Sequence, residues 1–150
     1  MKAVIQRVTE ASVTVEDKII SSIKGGLLIL LGICEEDTIS DIEWLSKKII
    51  HLRIFNDENH VMNNSLIDIN GDVIVVSQFT LMASTKKGNR PSYIKAAKPD
   101  TAIPLYEDFI AHLEKTLGKK VGTGIFGSDM KIKLLNDGPV TIILDSEVKD

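Results

Sequence analysis

The chain has 150 residues, of which 43% are hydrophobic and 26% are charged, and its net charge at pH 7 is −3. This length can bury its own core without disulfides or metal, so we expect one domain over residues 1–150. The net charge of −3 argues against broad, non-specific nucleic-acid binding, but it does not exclude a local basic patch.

The setting of the protein is predicted from three further features. Cys34 is the single cysteine, which excludes an internal disulfide and indicates a reducing compartment. Residues 1–8 contain no long apolar region before a cleavage site, and no apolar stretch approaches the roughly 20 residues of a membrane span. We therefore expect a cytoplasmic protein without membrane contact.

Short strands at hairpin spacing are predicted in the first part of the chain. Residues 1–8 and 11–16 are predicted as two strands, since apolar and polar side chains alternate in the second. A tight turn at residues 17–18 leads to a strand over 19–24, and the apolar run 27–31 predicts the centre of a sheet. This spacing indicates a mostly antiparallel sheet.

Two helices are predicted between and after these strands. Residues 38–52 place apolar side chains on one face, and Thr38 with Asp41 resembles a capping box. Residues 101–117 show the same periodicity, with Pro104 expected in the first turn. We predict an α+β fold: mostly antiparallel β-sheets, barrel-like or sandwich-like, with two main helices packed on one side.

Two turns are predicted in the strand-rich parts of the remaining chain. Residues 66–69 and 72–81 flank an Asn-Gly pair at 70–71, which is typical of a hairpin with a type I′ turn. The sequence Asn-Asp-Gly-Pro at residues 136–139 predicts a turn into a strand over 140–144.

A polar interruption follows the β-branched residues of the predicted strand 72–81. Ser77, Gln78 and Thr80 follow a run that is typical of a strand buried on both faces. Buried polar groups without partners cost roughly 1–3 kcal/mol each. These three residues therefore either form an internal network or line a ligand pocket.

No catalytic constellation accompanies these polar residues in the sequence. Thr80 is a candidate nucleophile, but the sequence nominates no base to activate its hydroxyl group. Backbone amides around residues 78–80 are an alternative oxyanion site. The three histidines share no metal-like spacing, and we expect neither a metal nor a cofactor.

A basic loop lies between the polar strand end and the second helix. It spans residues 86–92 and carries Lys86, Lys87 and Arg90 together with Gly and Pro. Two interpretations stay open: a solvated connection or an arm that contacts phosphate groups.

Two motifs resemble the signature motifs of D-aminoacyl-tRNA deacylases. They are Ser-Gln-Phe-Thr-Leu at residues 77–81 and Asn-Asp-Gly-Pro-Val-Thr at residues 136–141. The resemblance extends over the whole chain, and its other parts are residues 1–8 with Arg7, residues 87–92, the alanine pair 96–97, and residues 123–127 with Met130.

This resemblance implies a homodimeric enzyme that hydrolyses the ester bond between a D-amino acid and the 3′-terminal adenosine of tRNA. It also implies activity on glycine attached to the wrong tRNA. In such proteins the Gly-Pro peptide is cis and enters the partner subunit's active site. Gly138 and Pro139 would then capture the substrate amino group with main-chain carbonyls and exclude an L side chain. Arg7 would hold this motif in orientation.

The resemblance also implies roles for the other motif residues. The ester end of the pocket would be lined by Ser77, Gln78, Phe79 and Thr80. The adenosine would be received by Phe126 and Met130, with Ala96 also in the substrate site. The tRNA phosphates would be contacted by Lys86, Lys87 and Arg90.

Three alternatives stay open at this point. Thr80 could act as the covalent nucleophile of an ester hydrolase. The domain could bind nucleotide ends without catalysis. A specialised relative with a trans Gly138-Pro139 peptide could accept L-alanine on the wrong tRNA.

Overall fold

One curled β-sheet and two α-helices make up the part of the chain that the computed structural model describes, residues 1–149. A small two-stranded sheet stands apart from the main one. The strands are β1 (Lys2–Val15), β2 (Lys18–Ile23), β3 (Gly26–Gly32), β4 (Phe55–Asn56), β5 (Met62–Asn64), β6 (Asp72–Ser77), β7 (Gly122–Thr123) and β8 (Lys131–Asp145). The helices are α1 (Ile39–His51), a 3₁₀ helix (Phe79–Met82) and α2 (Pro99–Leu117).

Strand β1 is paired along both of its edges. On one edge, β3 pairs with the first half of β1 and β2 with its second half, both antiparallel. On the other edge, β8 pairs antiparallel to β1 along most of its length. β6 adds parallel to β3, and β7 parallel to β6. The Ser21 hydroxyl donates to the Thr123 carbonyl at 2.8 Å, which joins β2 to β7 and almost closes a barrel. The predicted α+β class, with a mostly antiparallel, barrel-like sheet and two helices, is confirmed.

The prediction of separate strands over residues 1–8 and 11–16 is wrong. Both belong to β1, which contains a bulge. Val8 pairs with Asn136 and Glu10 with Leu135, so Thr9 has no counterpart on β8. An extra residue of this kind bends a strand and increases its twist without ending it. The polar residues between the two apolar patterns therefore mark the bulge.

The predicted hairpin at residues 70–71 is also wrong. Residues 66–70 form turns, and β6 pairs parallel to β3, with Val73 beside Leu27. Asn70 has a φ of 50°, as a hairpin turn would require, but the buried side chain of Leu66 anchors the preceding segment in the core. The turn signal was local, whereas the pairing partner of β6 lies across the helical connection α1.

The two helices begin and end close to their predicted limits. Thr38 and Asp41 form the predicted capping box of α1, with the Thr38 amide donating to the Asp41 carboxylate at 2.8 Å. Helix α2 begins at Pro99, before the predicted residue 101, because proline is favoured in the first helical position. Pro104 consequently lies inside the helix and not in its first turn. Its ring is exposed, so the hydrogen bond it cannot make is lost on the solvent side. In residues 1–149 no helix combines the length and the apolar character needed to cross a bilayer.

The central strands are buried on both faces. Val73 and Val75 pack into the core that the helices cover, together with Phe109. Ile74 packs on the opposite face with Val13 of β1. β6 therefore has the doubly buried character that its β-branched sequence predicts, up to the point where Ser77 ends it.

A buried network ties the first residue to α1 and to the C-terminal segment. The Met1 ammonium donates to Asp37 at 2.5 Å and to the Ser146 hydroxyl at 2.9 Å. The Ser146 hydroxyl in turn donates to Asp41 at 2.7 Å. Burial by itself raises the pKa of Asp41, but the hydrogen bonds from Ser146 and Thr38 outweigh it and hold this pKa below its ordinary value.

Candidate active site

A cleft of about 270 Å³ opens where β6 ends. One side is polar and is formed by the residues that follow Val76; the remaining walls are mostly apolar. The lining residues are Leu31, Ile33, Val76, Ser77, Gln78, Phe79, Ala97, Ala102, Phe126, Gly127, Ser128, Asp129, Met130 and Ile132.

The polar side of the cleft is fixed by the last pairings of β6. Ser77 is paired with Leu31 of β3, and the Gln78 amide donates to the Leu31 carbonyl at 2.7 Å. The chain then turns into the 3₁₀ helix, whose first amides belong to Phe79 and Thr80. The first amides of any helix have no acceptor within it. These two amides therefore have no acceptor within the 3₁₀ helix, and Phe79 itself lines the cleft.

The Thr80 hydroxyl is already engaged by a neighbour. The Gln78 side-chain amide donates to it at 2.5 Å, and Thr80 is not among the lining residues. Asp129 is the only lining residue, within the described chain, that carries a carboxylate, imidazole, amine or thiol, and it pairs with Lys131 at 2.9 Å on the surface. Residues 1–149 contain no group of three or more His, Cys, Asp or Glu side chains that could hold a metal ion. The cleft thus offers backbone donors and shape, without a base beside Thr80.

The opposite wall is formed by Phe126 and Met130. Gly124 permits the approach of Met130, because a Cβ atom at this position would overlap the Met130 sulfur. Tyr106 of α2 supports Phe126, with ring centroids 6.0 Å apart, and its hydroxyl donates to the Val75 carbonyl at 2.8 Å. Burial raises the pKa of Tyr106 to about 12, so this side chain stays a neutral donor. Helix α2 thereby fixes the wall to the end of β6.

A loop bulges out of β8 at residues 137–140. The pairing of β8 with β1 continues on both sides of it, so these residues lie opposite Arg7 alone. The predicted turn between two strands is therefore wrong: the motif is extruded from one continuous strand, because both flanks pair with the same neighbour. The peptide bond between Gly138 and Pro139 is cis.

Arg7 connects this loop to the protein interior. Its side chain is 8% exposed, and its Nε donates to the Asp137 carbonyl at 3.1 Å. Its Nη1 donates to the Ile54 carbonyl at 2.7 Å. Asn136 closes the base of the loop, since its side chain accepts from the Val140 amide at 2.9 Å and donates to the Val140 carbonyl at 3.2 Å. The exposed tip of the loop is thus held by partly buried hydrogen bonds, and Arg7 is in turn fixed by its buried bond to Ile54.

The predicted site residues fall into three places. The cleft brings together Ser77, Gln78, Phe79, Phe126 and Met130, and Thr80 is hydrogen-bonded to the lining residue Gln78 without lining the cleft itself. Ala96 does not line the cleft; the neighbouring Ala97 does. Arg7, Gly138 and Pro139 do not line the cleft of their own chain, and Lys86, Lys87 and Arg90 are exposed on the basic loop.

Sequence reasoning missed part of the cleft. Ile132 and Ala102 line it, but apolar residues in a strand and a helix are indistinguishable from core positions in a sequence. Ser128 and Asp129 were also missed. Their position directly after the glycine-rich segment 122–127 is a signal that could have identified them.

Comparison with known proteins identifies relatives over the full length. Residues 4–145 match the family model described as D-Tyr-tRNA(Tyr) deacylase. A D-aminoacyl-tRNA deacylase of Flavobacterium psychrophilum is 67% identical over 150 residues, which is 100% of both chains. A D-aminoacyl-tRNA deacylase of Bacteroides thetaiotaomicron is 60% identical over the same length.

Two solved structures are similar in fold. The c-Myc DNA Unwinding Element Binding Protein superimposes with a TM-score of 0.92 and 43% identity, covering 97% of this chain and 98% of the other. A probable eukaryotic D-amino acid tRNA deacylase superimposes with a TM-score of 0.83 at 16% identity, covering 95% and 97% respectively. The second similarity concerns the fold alone.

Proposed function

Since the chain belongs to the D-Tyr-tRNA(Tyr) deacylase family, we propose that it hydrolyses the ester bond of D-aminoacyl-tRNA in translation quality control. The products are the free D-amino acid and tRNA, and glycine on the wrong tRNA is a second substrate. The observation that carries this proposal is the full-length match to D-aminoacyl-tRNA deacylases at up to 67% identity. The cytoplasm is the proposed location.

The proposed chemistry relies on positioning and not on a reactive side chain. An aminoacyl ester is already activated, and the neighbouring ribose 2′-hydroxyl assists the attacking water. The amides of Phe79 and Thr80 stabilise the oxyanion that forms on the carbonyl. Ser77 and Gln78 shape the ester end of the cleft. The engaged Thr80 hydroxyl and the lack of a base beside it support this division of roles.

The proposed stereochemical selection uses a second subunit. In a homodimer, the loop with Gly138 and Pro139 enters the cleft of the partner, where its carbonyls bind the substrate amino group. A substrate held at its amino group and its ester carbon has two positions left, for hydrogen and the side chain. Rigid backbone that fills one position rejects every L residue by steric clash. The exposure of the loop, its absence from the lining of its own cleft, and its anchoring by Arg7 support this arrangement.

The remaining cleft residues are assigned to the tRNA end. Phe126 and Met130 receive the terminal adenosine, and Ala96, which precedes the wall residue Ala97 in the chain, also belongs to the substrate site. Lys86, Lys87 and Arg90 contact tRNA phosphates. Their exposure supports this role, because phosphate contacts need accessible charges.

The direct test is a deacylation assay with matched D- and L-aminoacyl-tRNA. We expect the D substrate and mischarged glycyl-tRNA to be hydrolysed, and the L substrate to react at least about a hundredfold more slowly, equivalent to roughly 3 kcal/mol of discrimination. Equal rates on D- and L-aminoacyl-tRNA would overturn the proposal.

Replacing Thr80 by alanine is expected to retain activity within about tenfold. The change removes only a hydroxyl that accepts a hydrogen bond from Gln78. If Thr80 were the nucleophile, kcat would instead fall by roughly 10⁴-fold or more. The measurement is single-turnover deacylation by the wild type, Thr80→Ala and Thr80→Ser, with a search for an acyl-threonine adduct. A trapped adduct would favour the nucleophile mechanism.

A second candidate function is binding of nucleotide ends without catalysis. It is favoured by the similarity to a structure described as a DNA-unwinding-element binding protein. Retained tRNA binding with no hydrolysis of any aminoacyl-tRNA would support this candidate over the deacylase.

A further inference from the structure

The segment between the end of β6 and helix α2 differs in charge from the rest of the chain. Residues 78–99 contain five cationic side chains and no acidic one, although the whole chain has a net charge of −3. The cations are Lys86, Lys87, Arg90, Lys95 and Lys98. Among residues 1–149 none of these five takes part in an ion pair. The positive electrostatic potential of these five side chains therefore extends into solvent.

The middle of this segment is a narrow hairpin loop. Ser84 and Ser92 exchange two backbone hydrogen bonds, each 2.9 Å long, which bring the two sides of the loop together. Residues 85–91 project beyond this pair and are exposed. Three of the five cations are therefore held on a loop whose base is fixed.

Two exposed aromatic rings lie between this loop and the cleft. Phe79 lines the cleft, and Tyr93 directly follows the base of the loop. Their ring centroids are 5.1 Å apart with an interplanar angle of 75°. Their side chains are 56% and 39% exposed. In such an edge-to-face pair, the ring that contributes its edge has neither of its faces covered by the other ring.

We propose that Phe79 and Tyr93 form a stacking platform for the unpaired nucleotide on the 5′ side of the terminal adenosine. The basic loop contacts the phosphates that lie further toward the 5′ side of this nucleotide. The inference rests on the proposed deacylase function and extends its site from the terminal nucleotide to the single-stranded 3′ end. Tyr93 is a substrate-binding residue in this arrangement.

The chemistry of the segment matches a single strand. Proteins that bind single-stranded nucleic acid combine a cationic groove along the backbone with aromatic rings that stack on bases. The 3′ CCA end is common to all tRNAs, so one platform at this nucleotide serves tRNAs with different amino acids. The acidic remainder of the surface disfavours contact with the rest of the tRNA and directs binding to this end.

The test compares two substrates that differ in length. One is D-aminoacyl-tRNA, and the other is the minimal ester D-aminoacyl-adenosine, which has no nucleotide to stack on the platform. Stacking contributes about 1–3 kcal/mol per base, equivalent to roughly 5- to 150-fold. We expect Tyr93→Ala to lower kcat/KM on the tRNA substrate by a factor in this range, mainly through KM, and to leave kcat/KM on the minimal ester unchanged.

Two control variants separate the ring from other effects. Tyr93→Phe keeps the ring and should retain wild-type kcat/KM on both substrates. Ile94→Ala alters the adjacent apolar side chain, which is 92% exposed, and should change neither value. If Tyr93→Phe behaves like Tyr93→Ala, the hydroxyl and not the ring matters, and the platform is wrong.

A binding measurement makes the result independent of turnover. Fluorescence anisotropy with a labelled CCA trinucleotide should show weaker binding to Tyr93→Ala than to wild type, whereas binding of adenosine alone should be unchanged. An equal decrease in kcat/KM on both substrates, or an equal decrease in affinity for both ligands, would overturn the platform. Conversion of Tyr93→Ala to a monomer in size-exclusion chromatography would also overturn it, because the pair would then belong to a subunit contact. Failure of the deacylase proposal gives a different result: wild type hydrolyses neither ester.

Discussion

Replacing Gly138 by alanine is expected to lower deacylation of D-aminoacyl-tRNA by at least about a hundredfold while the chain stays folded. Gly138 has a φ of +129°, a conformation that L residues rarely adopt. A Cβ atom there would lie 2.9 Å from the Val140 Cγ2 atom and 3.1 Å from the Arg7 Nη2 atom. Relieving these contacts displaces either the loop, whose Val140 amide nitrogen would also be 3.1 Å away, or the Arg7 side chain that orients it. A misplacement of about 1 Å in an active site costs roughly a hundredfold in rate.

Gly88→Ala provides a control matched in backbone conformation. Gly88 has a φ of +131°, but a Cβ atom there would meet nothing within 4 Å. Backbone strain should lower the free energy of unfolding of both variants by a similar amount, about 1–3 kcal/mol. Single-turnover rates on D-aminoacyl-adenosine should then separate them, with only Gly138→Ala impaired. Normal rates for Gly138→Ala would show that the loop does not contact substrate.

Replacing Asp37 by alanine is expected to lower the free energy of unfolding by about 3–5 kcal/mol. The Asp37 side chain is 5% exposed, and the side chain of Met1, whose ammonium it pairs with, is 0% exposed. Removing one partner of a buried ion pair leaves the other charge without compensation. Asp37 also accepts from the Cys34 amide at 2.8 Å, so that donor loses its acceptor as well. A loss of this size is a large part of a typical domain's stability of about 5–15 kcal/mol.

Urea denaturation of three variants would measure this contribution. Asp37→Asn keeps an acceptor for the Cys34 amide and should be less destabilised than Asp37→Ala. Lys2→Ala removes the neighbouring surface pair with Asp145, whose atoms are 3.6 Å apart, and should cost less than about 1 kcal/mol. Similar midpoints for Asp37→Ala and Lys2→Ala would contradict the buried-pair interpretation.

The elements of the fold could largely be predicted, but their partners could not. The periodicity of α1 and the capping box at Thr38 are local, so both were predicted correctly. The pairing of β6 with β3 depends on contacts across residues 33–71, which no local signal encodes. The Asn70 turn signal correctly indicated a positive φ and still gave the wrong topology. Local chemistry determines backbone conformation, whereas long-range packing selects the neighbouring strand.

In the candidate site, too, local features were predicted and long-range partners were not. The polar residues after Val76 predicted either an internal network or a ligand pocket, because such groups need partners at the end of a buried strand. Ser77 and Gln78 line the cleft, and Gln78 also donates to Thr80. The resemblance implied that Arg7 orients the Gly-Pro motif. Its acceptors, the Asp137 and Ile54 carbonyls, could not be predicted, since main-chain acceptors are identical in every sequence. The extruded loop was likewise read as a turn, because both are rich in Asn, Gly and Pro.

The pairing of β8 with β1 has a consequence for the order in which the chain can fold. These strands lie at opposite ends of the sequence, and Ser146 also completes the network around Met1. During synthesis, one edge of β1 has no partner until residues 131–145 have left the ribosome. An unpaired edge of this length is a template for association between chains. Because β1 and β8 are far apart in the sequence, their pairing is expected to form slowly. Slow formation of this pairing extends the period in which nascent chains can aggregate.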